Sequence, residues 1–221
     1  MRTRGSTRTR GKQGITLVEV AISLTLMSVI GGALFLATDS ASSAFRTGIT
    51  VAEVNARALR ALERVCEDLK SSSSDLTTPQ PVAPFFGTSV DYQRGTEIDA
   101  NGDLVFGPPE RFELEYEETD DGIDNDGDGL VDECRLVWSE NPGVAGERRV
   151  VVATGIREFL QGEDFDGADE NGNGLIDEPG FCLLFGADRV TVRISFEDRD
   201  GEGHVIVTTV ERTVAFRNEG V

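Results

Sequence analysis

The stretch that decides the fold is Ile15-Thr16-Leu17-Val18-Glu19-Val20-Ala21-Ile22-Ser23-Leu24-Thr25-Leu26-Met27-Ser28-Val29-Ile30-Gly31-Gly32-Ala33-Leu34-Phe35-Leu36-Ala37. An α-helix rises about 1.5 Å per residue, so this run is about long enough to cross a hydrocarbon layer of about 30 Å. Residues 1–14 precede it. They contain Arg2, Arg4, Arg8, Arg10 and Lys12, no acid and few apolar side chains, so they build no core helix. Positive charge on one flank of an apolar span places that flank in the cytoplasm and the rest of the chain outside. A secretory signal has a shorter apolar core that ends in a small-residue cleavage site. A plain single-pass anchor has no need of an acid, yet Glu19 stands near the start of the run. A charge at membrane depth is costly and calls for a partner.

Gly14-Ile15-Thr16-Leu17-Val18-Glu19-Val20 resembles the prepilin motif: a Gly, an apolar residue, Thr, two apolar residues and Glu. The resemblance implies that a membrane prepilin peptidase cuts between Gly14 and Ile15 and methylates the new amino terminus. Glu19 is then the fifth residue of the mature chain, where its carboxylate would meet the terminal ammonium of a neighbouring subunit and fix the register of assembly. Two positions depart from the family pattern. Gln13 stands where Lys or Arg often precedes the Gly, and Ile15 replaces the commoner Phe or Met. The implied partners are other pilin or pseudopilin subunits, the peptidase and the inner membrane. Gly31-Gly32 permits local unwinding or close helix approach, or reflects the ordinary glycine content of membrane helices.

Beyond Ala37 the pattern turns amphipathic. Phe45, Ile49, Ala52, Ala56, Leu59, Leu62, Val65 and Leu69 recur in steps of three and four with charged residues between them, which predicts one buried helical stripe. No proline interrupts Ile15 to Lys70, so one nearly continuous helix is expected. Its first part, residues 15–38, is the membrane and assembly segment, and residues 39–70 continue into the globular domain. Cys66 borders the stripe and reads as a small buried hydrophobe. A Ser-rich and Pro-rich linker follows over residues 71–90.

Residues 91–221 read as β-rich. Strand-like runs are Phe112–Tyr116, Arg135–Trp138, Arg149–Ala153, Ile156–Leu160, Cys182–Phe185, Val190–Phe196 and His204–Phe216. The alternation through Val190, Val192, Ile194 and Phe196 suits an antiparallel sheet with one solvated face. The last two runs form a hairpin that turns over Asp198 to Gly203. One long helix followed by an antiparallel sheet is α+β. The order resembles the J-type minor pseudopilins of type II secretion and the W-type minor pilins, through Ala61–Leu69, Arg148–Val152 with Gly155–Phe159, and Val190–Glu197.

The formal charge of the chain is −19, and without the five basic residues of the leader it is −24. A body so acidic repels phosphate backbones, which argues against direct nucleic-acid binding. Much of the acid sits in two loops that repeat at 45 residues. Residues 121–133 read Asp-Gly-Ile-Asp-Asn-Asp-Gly-Asp-Gly-Leu-Val-Asp-Glu, and residues 166–178 read Asp-Gly-Ala-Asp-Glu-Asn-Gly-Asn-Gly-Leu-Ile-Asp-Glu. Oxygen-bearing side chains at alternate positions, with a Gly that permits the sharp turn, suit a hard cation of calcium's size better than Mg²⁺.

In the first loop the candidate ligands are Asp121, Asp124, Asp126, Asp128, the carbonyl of Leu130, Asp132 and Glu133. In the second they are Asp166, Asp169, Asn171, Asn173, the carbonyl of Leu175, Asp177 and Glu178. The two asparagines lower the charge, so one or two Ca²⁺ are expected and the second should bind more weakly. The twelfth position, a bidentate Glu in an EF-hand, is Arg135 or Gly180, so these are not EF-hands. Each loop is expected to cap a hairpin.

Cys134 and Cys182 directly follow the loops; they either pair as a disulfide, which an envelope compartment permits, or stay as free buried thiols. A surface-displayed calcium-dependent adhesin on a pilin-like anchor is a second functional class that fits. An enzyme fits poorly: the only His, His204, lies on an expected strand, and the carboxylates have metal-ligand rather than acid/base spacing.

Overall fold

The computed structural model describes residues 15–79, 85–186 and 189–217. The chain divides into two compact units, Met1–Phe45 and Arg46–Val221. The helix α1, Leu17–Lys70, contributes to both.

In the first unit every residue from 15 to 42 is exposed, and the helix runs through Gly31-Gly32 without a break. An 18-residue window here has a mean hydropathy of 2.2 and no buried residue, so the helix is long and apolar enough to span a membrane. Its start is tied by a reciprocal pair of hydrogen bonds. The backbone N–H of Thr16 donates to Oε2 of Glu19 at 2.8 Å, and the N–H of Glu19 donates to Oγ1 of Thr16 at 3.3 Å. This is a capping box, which satisfies two otherwise orphaned donors of the first turn.

In the second unit the rest of α1 lies on one face of an antiparallel sheet. The strands are β1 (Phe85–Gly87), β2 (Ser89–Ile98), β3 (Leu104–Tyr116), β4 (Cys134–Glu140), β5 (Arg148–Ile156), β6 (Phe181–Phe185), β7 (Arg189–Arg199) and β8 (Val205–Ala215). The sheet order is β1-β6-β7-β5-β4-β3-β2, with β8 paired to β7. Helix residues Val54, Ala58, Ala61, Leu62, Val65, Cys66 and Leu69 are buried against Phe112, Leu136, Ile156, Phe181, Leu183 and the β7 row Val190, Val192, Ile194 and Phe196. The β7 alternation is the one expected from the sequence, as is the β7–β8 hairpin. The far face of β3–β5 carries ion pairs in water, among them Arg135–Glu115 and Arg149–Glu113 at 3.4 and 3.1 Å.

The helical stripe differs from the expected one. Leu62, Val65 and Leu69 are buried, but Phe45, Ile49, Ala52, Ala56 and Leu59 are exposed. The reason is geometric. Two successive steps of three, Leu59 to Leu62 to Val65, carry the row about 120° around a 3.6-residue helix. The row therefore belongs to two faces, one on the sheet and one turned away from it.

Three strand expectations change as well. Ile156 ends β5, and of residues 157–160 only Phe159 pairs, in an isolated bridge to Pro179. The segment read as a linker over 71–90 contains a 3-10 turn at Ser74–Leu76, β1 and the start of β2. β2 went unread because only Val90 and Tyr92 of its ten residues are buried apolar positions.

Tyr92 also enters a buried polar cluster that sequence reading missed. Its hydroxyl lies 2.9 Å from Oε2 of Glu110 and 3.2 Å from Oδ2 of Asp68 on the helix. Trp138 Nε1 donates to the same Glu110 oxygen at 2.8 Å, and Arg94 lies 2.7 Å from its other oxygen. Burial is the largest influence on Asp68 and raises its pKa, against the pull of Arg64 and Arg94. These groups fasten the carboxyl end of α1 to β2, β3 and β4.

Candidate functional site

Gly14 lies outside the described residues. Ile15 is exposed, and Glu19, the residue assigned to assembly, is held by its own helix through Thr16. The capping box gives Glu19 a local reason to be present, which the sequence reading did not consider.

The acidic loops have matching backbones. Glycines at 122, 127 and 129 have φ of 75°, 84° and 93°, and their counterparts at 167, 172 and 174 have 81°, 74° and 89°. Asp132 and Asp177 share the left-handed region at 54° and 50°, which is uncommon for a residue with a side chain. In each case the carboxylate repays the strain by accepting backbone N–H groups across the loop. Asp132 takes those of Asp121 and Gly122 at 3.0 and 2.8 Å, and Asp177 takes those of Asp166 and Gly167 at 3.2 and 3.0 Å. Asp124 holds the N–H groups of Gly127 and Gly129, and Asp169 holds those of Gly172 and Gly174.

The first loop brings carboxylates together. One oxygen each from Asp124, Asp126 and Asp128 lies within 4.8 Å of the others, and so does one each from Glu118, Asp126 and Glu133. Asp126 belongs to both groups, so five acids surround one region. Glu133 is buried, and burial pushes its carboxyl up to about 7, with the charges of Asp128, Glu118 and Asp126 adding to the effect. Asp121 and Asp132 stand apart from this group. Asp121 caps the N–H of Ile123, while Asp132 neighbours Asp120 and Glu158. Leu130 is buried and its N–H donates to Asp128 at 2.8 Å.

The second loop is closed differently. Asn171 and Asn173 turn Oδ1 to backbone N–H groups and Nδ2 to Oε2 of Glu178, at 3.0 and 2.7 Å. Arg193 of β7 reaches the other oxygen of Glu178 at 2.9 Å. Asp166 caps the N–H of Ala168, and Leu175 donates its N–H to Asn173.

The loops also differ in setting. The first joins β3 to β4, which pair with each other from Tyr116↔Cys134 onward, so it caps a hairpin as expected. The second joins β5 to β6, which do not pair; each pairs with β7, and the loop base is pinned by Leu160 N–H to the Glu178 carbonyl at 2.8 Å. Cys134 and Cys182 are free and buried on β4 and β6, which are not neighbours, so of the two readings left open the structure has thiols. His204 sits in the β7–β8 turn against Asp200 at 3.2 Å rather than in a strand.

Sequence reasoning missed Glu118, Glu163 and Arg193. The first two had a visible signal: the 45-residue repeat extends three residues upstream of Asp121 and Asp166, to a Glu in each copy. Arg193 had none, because it arrives from a strand distant in sequence. Comparison with protein-family models, with curated proteins and with solved structures finds no match.

Proposed function

We propose that the chain is a non-catalytic pilin-like subunit, a minor pilin or pseudopilin processed after Gly14 and built into an envelope filament through its amino-terminal helix. The observation that carries this reading is the pairing of the Gly14-Ile15-Thr16-Leu17-Val18-Glu19 motif with a helix whose residues 15–42 are exposed throughout. Such a surface needs lipid before assembly and other helices after it. The row Phe45, Ile49, Ala52, Ala56 and Leu59 supports the reading further, since it repeats in steps of four and three, the spacing of a helix-packing seam, and is exposed throughout. In this reading the folded unit is exported from the cytoplasm and its acidic loops are ordered by Ca²⁺, which offsets the repulsion among their carboxylates.

Co-expression of the full chain with a prepilin peptidase tests the processing. Intact-mass analysis is expected to find a mature chain that begins at methylated Ile15. A chain that still begins at Met1, beside a control substrate that is cut, rejects the assignment.

A further inference from the structure

Three buried carboxylate oxygens in the acidic loops have no hydrogen-bond partner among the described residues: Oε1 of Glu117 and Oε2 of Glu133 in the first, and Oε2 of Glu163 in the second. Glu117 has Gly162 at its equivalent place in the second loop, so the repeat matches only the other two positions with glutamates. Glu133 is 2% exposed and Glu163 is 1% exposed. An unanswered, desolvated carboxylate oxygen is strongly unfavourable, and native proteins supply such an atom with a donor or a cation.

In each loop the other of the two glutamates that the repeat matches is already answered. Glu118 accepts the N–H groups of Asn125 and Asp132 at 2.6 and 3.0 Å. Glu178 has Arg193 and the two asparagine amides. Of the glutamates that the repeat matches, Glu118 with Glu163 and Glu133 with Glu178, each loop thus has one satisfied by the protein and one with an oxygen left over. The roles are exchanged between copies: the downstream glutamate is left over in the first loop and the upstream one in the second.

We propose that each loop holds one divalent cation, and that glutamates lying upstream of the repeated motif, Glu118 in the first loop and Glu163 in the second, close the two sites. The proposal rests on the calcium reading above and adds to it a stoichiometry and two ligands. Glu118 already lies with Asp126 and Glu133, one oxygen of each within 4.8 Å of the others. Glu163 occupies the equivalent place in the repeat, and its Oε1 accepts the N–H of Asn171, itself a neighbour of Glu178. The donors are carboxylate and amide oxygens throughout, the set of a hard cation with flexible coordination, which selects Ca²⁺. With Arg193 and two asparagines in place, the second site has less negative charge to offer and fills after the first.

Equilibrium dialysis of the chelator-stripped full chain in detergent against CaCl₂ counts the ions. Two per chain are expected. Glu163→Gln is expected to retain one, the tighter, and Glu118→Gln to retain one, the weaker. One ion in the unsubstituted chain, two in Glu163→Gln or Glu118→Gln, or none in either variant overturns the proposal. No ion at all in the unsubstituted chain rejects the calcium reading itself. Far-UV circular dichroism, together with the ion each variant keeps, reports that its fold is intact.

Discussion

Nη1 of Arg193 lies 2.9 Å from Oε1 of Glu178, a side chain with no exposure to solvent. The same guanidinium reaches Glu211 on β8 at 2.5 Å, so one cation ties the second acidic loop to two adjacent strands. Removing one partner of a buried pair leaves the other charge uncompensated, which costs about 3–5 kcal/mol. Because the two asparagine amides remain, Arg193→Met is expected at the low end, about 3 kcal/mol, in denaturant titration of the detergent-solubilised chain. A midpoint unchanged from the parent would mean that the amides alone neutralise Glu178.

The three thiols should be inert in the folded protein. Burial pushes Cys66 up to about 11, and Cys134 and Cys182 each up to about 12, so almost no thiolate exists at pH 8. Iodoacetamide at pH 8 is expected to add nothing to the native chain and three groups to the denatured chain without any reductant. Fewer than three in the denatured chain would reveal a disulfide.

Asp200 couples stability to acid pH. Hydrogen bonds hold its pKa well below the ordinary value, first the N–H of His204 at 3.0 Å and then the hydroxyl of Thr47 on α1 at 2.8 Å. For a depressed carboxyl the folded state binds fewer protons than the unfolded one, so the stabilisation is complete above the unfolded pKa, about 3.9, and is lost as pH falls below it. Thermal midpoints between pH 6 and pH 2.5 are expected to fall more steeply in the parent than in Asp200→Asn. Parallel curves would assign the acid response to other groups.

Leu59 and Leu69 lie on the same helix and should behave oppositely. Leu69 is fully buried, and Leu69→Ala is expected to cost about 2–5 kcal/mol. Leu59 is 56% exposed, so Leu59→Ala should change stability by no more than about 0.5 kcal/mol while weakening filament incorporation, scored by shear fractionation. Normal incorporation of Leu59→Ala would remove the outer row from the assembly reading.

What the sequence disclosed and what it hid have separate physical causes. The helix through Lys70, the β7 alternation and the two loops follow from local periodicity, which needs no partner to be read. The burial of Val54 and Ala58 was hidden because small residues on the sheet side gave a weaker signal than Phe45, Ile49 and Leu59 on the open side. β2 was hidden because polar residues fill most of it. The pairing of β5 and β6 with β7 rather than with each other, and the arrival of Arg193 beside Glu178, are long-range outcomes that no local window contains.

The hold of Asp169 on two backbone nitrogens has a consequence for how the molecule ages. Asn171-Gly172 and Asn173-Gly174 are Asn-Gly pairs, the sequence most open to deamidation, in which the glycine nitrogen attacks the asparagine carbonyl to close a succinimide ring. Those two nitrogens donate to Oδ1 and Oδ2 of Asp169, each at 2.7 Å, so neither is free to attack while the loop is ordered. Any state that loosens the loop exposes both pairs to this chemistry. Hydrolysis of the ring then yields aspartate or isoaspartate, placing acids where the first loop has Asp126 and Asp128. The ordered loop thus guards its own covalent structure, and the extent of deamidation records how long it has spent open.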